Sequence, residues 1–96
     1  MGRAIVRLGD MSTGHDGYPG RPNNSASPDV FVNGIPMHRI GDTWPAHSNG
    51  SNSHSSVTVG SGQTIFCNGM GIALVGDMLD CGDTIAEGSP NSFCGG

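Results

Sequence analysis

Charge, aromatic rings and lysine are all scarce in this chain. Charged residues make up 12% and aromatic residues 5% of its 96 positions, and the four basic residues are the arginines Arg3, Arg7, Arg21 and Arg39, which form no cluster. With a formal net charge of −4, the chain has no basic footprint to displace the counterions of a nucleic acid, so nucleic-acid binding is excluded. No apolar run approaches the roughly 20 residues of a membrane span. No charged-then-apolar leader opens the sequence, so the expectation is a soluble chain without a secretory signal of its own. Cysteine is sparse and odd in number: Cys67, Cys81 and Cys94 sit far apart and make a poor disulfide framework. Long uninterrupted segments are missing too. The longest run free of Gly and Pro is Ser51 to Val59, nine residues, Ser-rich and β-branched, where an average helix needs about 11–12. Helix is nearly excluded, and an all-β chain is expected.

Glycine, by contrast, is abundant: 17 of 96 residues, more than twice the usual share of about 7%. There is no Gly-x-y period, which excludes collagen. The apolar runs are regular and recur at fixed positions, which a disordered low-complexity chain does not need. The length makes one domain, residues 1–96, and the 34% apolar content makes its core thin.

What is present is a repeat. Val30 to Asp42 reads VFVNGIPMHRIGD, and Ile65 to Asp77 reads IFCNGMGIALVGD, at an offset of 35 residues. Phe31 matches Phe66, Asn33-Gly34 matches Asn68-Gly69, and Gly41-Asp42 matches Gly76-Asp77. Asn-Gly between apolar residues signals a β-hairpin, because both residues tolerate the positive φ of a type I′ turn. The second half of the unit recurs as IVRLGD, ending at Gly9-Asp10, and the first half as SPNSFCGG, with Phe93 in the phenylalanine position and Gly95-Gly96 at the corner. One unit carried about three times predicts a small closed body of pseudo-threefold symmetry.

The repeat register assigns further expectations. Phe31, Phe66 and Phe93 are expected to form the pseudo-symmetric core. Cys67 and Cys94, in the position of Val32, read as small core residues, and Trp44 as a packing residue. His38, which is Ala73 in the second copy, reads as an exposed strand residue. Asp10, Asp42 and Asp77 read as turn-fixing acceptors of backbone N–H bonds, not as catalytic carboxylates. Met11 to Asn24 reads as loop, Gly41 to Gly50 as a corner, Asn49 to Ser56 as a polar linker-like tract, Val57 to Val59 as a strand, Gly60-Ser61-Gly62 as a turn, and Ile85 as the start of the last strand.

After each Gly-Asp corner stands a residue of zinc-binding type. His15 lies five beyond Asp10, His47 five beyond Asp42, and Cys81 four beyond Asp77. Three equivalent corners would bring these side chains towards one axis, and His54, seven beyond His47, loops back as a fourth. The set His15, His47, His54 and Cys81 is a tetrahedral N₃S group suited to Zn²⁺. The plain alternative is surface histidines and an ordinary buried cysteine, since no CxxC or HxxxH spacing is present. Four filled positions would make the site structural, because a catalytic zinc keeps one position open. Metal binding would then supply the folding free energy a thin core lacks.

RLGD near the start, VFVNGIPMHRIGD, GSGQTIFCNGMGIALVGD and the DCGDTIAEGSPN tail resemble the PAAR-repeat family across essentially the whole chain. The namesake Pro-Ala-Ala-Arg motif is degenerate here, reading Pro36-Met37-His38-Arg39 and Gly71-Ile72-Ala73-Leu74. The resemblance implies a small conical, pseudo-threefold arrangement of short β-hairpins with a zinc-stapled apex. It implies a structural, membrane-piercing tip that caps the trimeric β-helical spike of a contractile injection machine, a bacteriophage tail or a type VI secretion system. The partner would be a trimeric spike protein, a phage central spike or a VgrG-like one, carrying this chain as a monomer. The tip would be made in the cytoplasm and would touch the target cell envelope only transiently. One structural Zn²⁺ would be held by His15, His47, His54 and Cys81, which fall where the family's ligands would be. The short ends leave no room for a cargo domain, so a bare tip is expected. Two other readings compete: a small zinc-dependent hydrolase, with Asp16 or Asp80 as base, and a free-standing β-type binding module.

Overall fold

The computed structural model describes residues 2–60 and 65–94; the turn expected at Ser61-Gly62 and the corner expected at Gly95-Gly96 lie outside them. Every regular element among the described residues is a strand, as the Gly and Pro spacing requires. In chain order these are β1 (Arg3–Ala4), β2 (Gly14–His15), β3 (Tyr18–Pro19), β4 (Phe31–Val32), β5 (Ile35–Pro36), β6 (Thr43–Ser48), β7 (Ser53–Val59), β8 (Phe66–Cys67), β9 (Met70–Gly71), β10 (Met78–Leu79) and β11 (Phe93–Cys94).

The two Asn-Gly pairs make the expected hairpins. Asn33 and Gly34 have φ of 57° and 76°, Asn68 and Gly69 φ of 55° and 80°, the double positive φ of a type I′ turn. They join β4 to β5 and β8 to β9. A third, equivalent pair is split between the chain ends. Phe93 lies opposite Ala4 and Cys94 opposite Arg3, just as Phe31 lies opposite Pro36 and Val32 opposite Ile35.

Two interlocking rings of backbone hydrogen bonds close the body. Val6 N–H donates to the Ala73 carbonyl at 3.0 Å, Ala73 N–H to His38 at 3.3 Å, and His38 N–H back to Val6 at 3.0 Å. Two residues further along, Leu8, Ile40 and Val75 donate to Pro36, Gly71 and Ala4 at 2.8, 2.7 and 2.9 Å. The antiparallel bridges Ile5–Leu74, Arg7–Met37 and Arg39–Ile72 repeat the same cycle. Each copy thus bonds the next around a pseudo-threefold axis, and Val6, His38 and Ala73, all fully buried, lie around it.

Each Gly-Asp corner is a tight turn with glycine at φ of 88°, 95° and 95° (Gly9, Gly41, Gly76), a conformation that strains any other residue. The Asp acts as expected, accepting the N–H three residues back: Arg7 to Asp10 at 2.8 Å, Arg39 to Asp42 at 2.8 Å, Leu74 to Asp77 at 2.9 Å. In the first two corners the same Arg also forks onto the carboxylate. In the third, where Leu74 replaces the Arg, Arg3 reaches across from the N-terminal strand to Asp77 at 3.0 Å. Burial pushes the Asp42 carboxyl up, but hydrogen bonds from Arg39 and Ser25 outweigh it and hold the group below the usual carboxylate range.

The core has two parts. Val6, Trp44, Ala73, Leu79 and Ile85 pack with Ile40, Val75 and Cys81; Cys67, Ile72 and Leu74 pack with Ile5, Val30, Met37 and Cys94. Trp44 and both cysteines therefore pack as expected. Phe31, Phe66 and Phe93 do not: they are 54, 63 and 57% exposed. The hairpins are two residues deep, so their outward face has nothing above it to pack against. Ile85 forms only a single bridge, to Ser12, and the last strand is β11.

His38 also departs from the expected exposed position, being fully buried. Its register places it on the axis, where the small Val6 and Ala73 leave room for a ring. Its Nδ1 lies 2.8 Å from the Ser25 carbonyl and its Nε2 2.7 Å from Thr58 Oγ1. Since a carbonyl only accepts, Nδ1 carries the proton, Thr58 O–H donates to Nε2, and Trp44 Nε1–H donates to Thr58 at 2.8 Å. This chain of bonds is complete only for a neutral imidazole. Burial pushes the His38 pKa down, against the opposing pull of the Ser25 bond, Asp42 and Asp10. The unfolded chain takes up a proton at His38 as pH falls through about 6.5, and the folded chain does not. Stability is therefore expected to fall below that pH by up to roughly 1.4 kcal/mol per pH unit. Urea melts at pH 7.0 and 6.0 with zinc in excess test this: His38→Gln, which can keep both bonds, should lower the slope by up to one proton while the three clustered histidines keep theirs, and equal slopes in the two proteins would refute it.

Candidate metal centre

Beyond each corner the chain runs out along an arm and returns. The first arm pairs Met11 with Pro22 and ends in β2 and β3. Its tip, Asp16-Gly17, has φ of 44° and 83°, a third type I′ hairpin where loop was expected. The Asp-Gly pair was the available signal. Gly14, at φ 89°, admits no side chain, because a Cβ would sit 2.6 Å from the Tyr18 carbonyl oxygen.

The second arm is β6 and β7, which pair over most of their length with a bulge between Trp44 and His47. The expected corner and linker-like tract are thus two strands. The polar residues of Ser53–Ser56 alternate between faces, and Asn49 Oδ1 ties the tip by accepting the Ser51 and Asn52 N–H groups at 3.0 and 2.9 Å. His47 lies directly opposite His54, so the return of the fourth ligand is a cross-strand pair. The third arm is short. Met78 pairs with Thr84, and a turn closed by Gly82 N–H to Leu79 O at 3.0 Å presents Cys81.

The three arms bring His15, His47, His54 and Cys81 together, with one ligand atom from each within 4.8 Å of the others. His54 Nε2 lies 3.1 Å from His15 Nε2 and 2.8 Å from His47 Nε2. In a tetrahedral zinc site with bonds of about 2.0–2.1 Å, nitrogens sit about 3.3 Å apart. The donor chemistry fits a cation better than a hydrogen-bonded cluster. His47 Nδ1 lies 2.8 Å from the Pro19 carbonyl, so it is the protonated nitrogen, and Nε2 offers a lone pair. His15 Nδ1 is 3.4 Å from Asp16 Oδ2, which favours the same tautomer. Two lone pairs then face His54 Nε2, which has at most one proton to give. Desolvation, followed by the neighbouring His47 and His15, pushes the His54 pKa down and disfavours its imidazolium form.

Tyr18 was not foreseen. It lies opposite His15 across the first hairpin, with its ring centroid 4.9, 4.7 and 4.2 Å from those of His15, His47 and His54. It walls one side of the cluster with an apolar face. Asp16 is turned to solvent, with its side chain 91% exposed, and Asp80 accepts the Val57 N–H at 3.1 Å. His38, Cys67 and Cys94 lie elsewhere in the core.

A body whose described residues form strands alone, and whose three arms gather three histidines and a cysteine, defines a small β-protein with a candidate metal centre. The sequence profile of the PAAR motif matches residues 49–96, which span β7, the second full repeat and Cys81. The chain belongs to the PAAR-motif family. No curated protein matches it.

Proposed function

We propose that this chain is the tip of the trimeric β-helical spike of a contractile injection machine, a phage tail or a type VI secretion system, stapled by one structural zinc on His15, His47, His54 and Cys81. The observation that carries the docking half of this reading is the set of exposed phenylalanines. Phe31, Phe66 and Phe93 occupy equivalent positions in three equivalent strand pairs, and all three face solvent to a similar degree. A monomer that repeats one apolar contact three times around an axis matches a partner with three identical chains.

The strand pairs β1–β11, β4–β5 and β8–β9 make no backbone pairing with β2, β6 and β7, the strands that carry the histidines of the cluster. The chain therefore has a docking end and a metal end, along a body of 38 × 27 × 22 Å. When bound, zinc would supply four bonds between the arms in place of an apolar core, and rigidity under load. Residues 1–96 act as a single domain, monomeric on its trimer, at a tail or secretion spike that crosses the target envelope. The role calls for no chemistry. Four protein ligands leave no open position for a metal-bound water, and neither Asp16 nor Asp80 is held over the cluster, so the hydrolase reading is not favoured.

Two numbers test the proposal together. Elemental mass spectrometry should give about one zinc per chain, lost in Cys81→Ser. Native mass spectrometry with the trimeric spike of the same machine should give one chain per three spike chains. A folded chain without zinc removes the staple, and three tips per trimer remove the capping geometry.

A further inference from the structure

Behind the metal cluster lies a buried ion pair that the repeat does not contain. Arg21 and Asp83 meet at 2.9 Å, with side chains 6% and 0% exposed. The guanidinium also donates through Nε to the Pro45 carbonyl at 2.8 Å and through Nη2 to Ser56 Oγ. It lies 5.7 Å from the centre of the Trp44 ring. The other oxygen of Asp83 accepts the Thr13 hydroxyl at 2.9 Å, the Gly14 N–H at 2.8 Å and the Thr84 N–H at 2.7 Å.

The placement of these partners is the point. Gly14 adjoins His15. Pro45 is two residues before His47, Ser56 two after His54, and Asp83 two after Cys81. All four metal-binding residues are thus gripped within two positions by one pair of opposite charges that spans all three arms. We propose that Arg21 and Asp83 are positioning residues that set the spacing and orientation of the four metal ligands. This rests on the reading of the cluster as a zinc site. A planar guanidinium bonded to three different partners holds direction as well as distance, and groups behind a metal's ligands typically govern 10–100-fold in affinity.

The test compares Asp83→Asn and Arg21→Lys with a control at the other core, Ile72→Val or Ile72→Ala, whichever loses the same stability in urea. Lysine keeps the charge of Arg21 but cannot fork to Asp83, Pro45 and Ser56 at once. Zinc affinity is read by chelator competition, and site geometry by the ligand-field and thiolate charge-transfer bands of the cobalt-substituted protein. The expected result is a roughly 10–100-fold loss of zinc affinity beyond that of the control, with altered cobalt bands. Wild-type bands together with an affinity no lower than the control's would overturn the proposal. If Asp83→Asn does not fold even with zinc, Ser56→Ala gives the same comparison, shifted bands supporting the clasp and unchanged bands refuting it. Wild-type protein that takes up neither metal would overturn the zinc site itself, whereas metal uptake insensitive to the clasp variants overturns only this inference.

Discussion

Removal of zinc by a strong chelator is expected to unfold the chain in one cooperative step. The arms are joined by the β7–β10 pairing, the Arg21–Asp83 pair and the Trp44, Leu79 and Ile85 cluster, but the fully buried apolar core is small: Val6, Trp44, Ile72, Ala73, Leu74, Leu79 and Ile85. A domain of this size is stable by about 5–15 kcal/mol in total, and zinc bound by folded structural sites supplies about 10–16 kcal/mol at neutral pH. The second figure is as large as the first, so the metal-free chain should be unfolded or close to it. The single tryptophan reports the change directly. Trp44 is buried with its indole N–H on Thr58, and its emission should move to the red on chelation and return when zinc is restored. Cys81→Ser and His54→Ala should start in the unfolded state and fail to respond. A melting temperature unchanged by chelation would sink the stapling account.

The second large effect is expected at the opposite end. Serine in place of Phe31, Phe66 and Phe93 together should leave the fold intact, since the rings are more than half exposed and surface changes typically stay within about 0.5 kcal/mol each. Capture by the trimeric spike should nevertheless be lost. Fully burying one such ring is worth about 1.5–3 kcal/mol and a little over half of each remains to be buried, so each single variant should weaken binding roughly 4- to 20-fold, and the triple variant about 10²-fold or more. Titration calorimetry or surface plasmon resonance against the spike gives the values. The pattern matters as much as the size. Similar losses at the three positions are what threefold docking requires, and a triple variant that binds like wild type would remove these rings from the interface.

Much of this architecture was legible because its signals are local. Asn-Gly imposes a left-handed turn on two residues whatever surrounds them, so both hairpins could be placed from the dipeptide alone. Gly-Asp imposes a tight corner, and the carboxylate satisfies the N–H that the corner frees. Counting outward from three equivalent corners picks out His15, His47 and Cys81, and His54, seven beyond His47, completes the set. Asp16-Gly17 carried the same hairpin signal, but the surrounding Pro and Gly masked it, and with it the position of Tyr18.

Other assignments failed where the answer depended on neighbours far along the chain. Phe31, Phe66 and Phe93 read as core from sequence because large apolar side chains usually are; the strand pairs that carry them are too shallow to cover them. His38 reads as an exposed residue from sequence because the second copy has alanine there. Its place on the axis, between Val6 and Ala73 and within reach of Ser25 and Thr58, makes it a buried hydrogen-bonded group. The tract from Ser53 to Ser56 looked like a linker because its residues are polar, yet pairing with β6 makes it a strand.

The amino-acid sequence by itself determined the β class, the turns, the threefold repeat and the identity of the four residues that gather at one end, because glycine conformation and repeat register act over a few residues. Only the tertiary structure decided which apolar rings face solvent, that the third strand pair is made by the two ends of the chain, and that Arg3 replaces a missing Arg opposite Asp77. It alone brought Arg21 to Asp83 behind the metal cluster. Those outcomes depend on which surfaces remain uncovered and which charges meet once distant segments pack, and no local pattern encodes either.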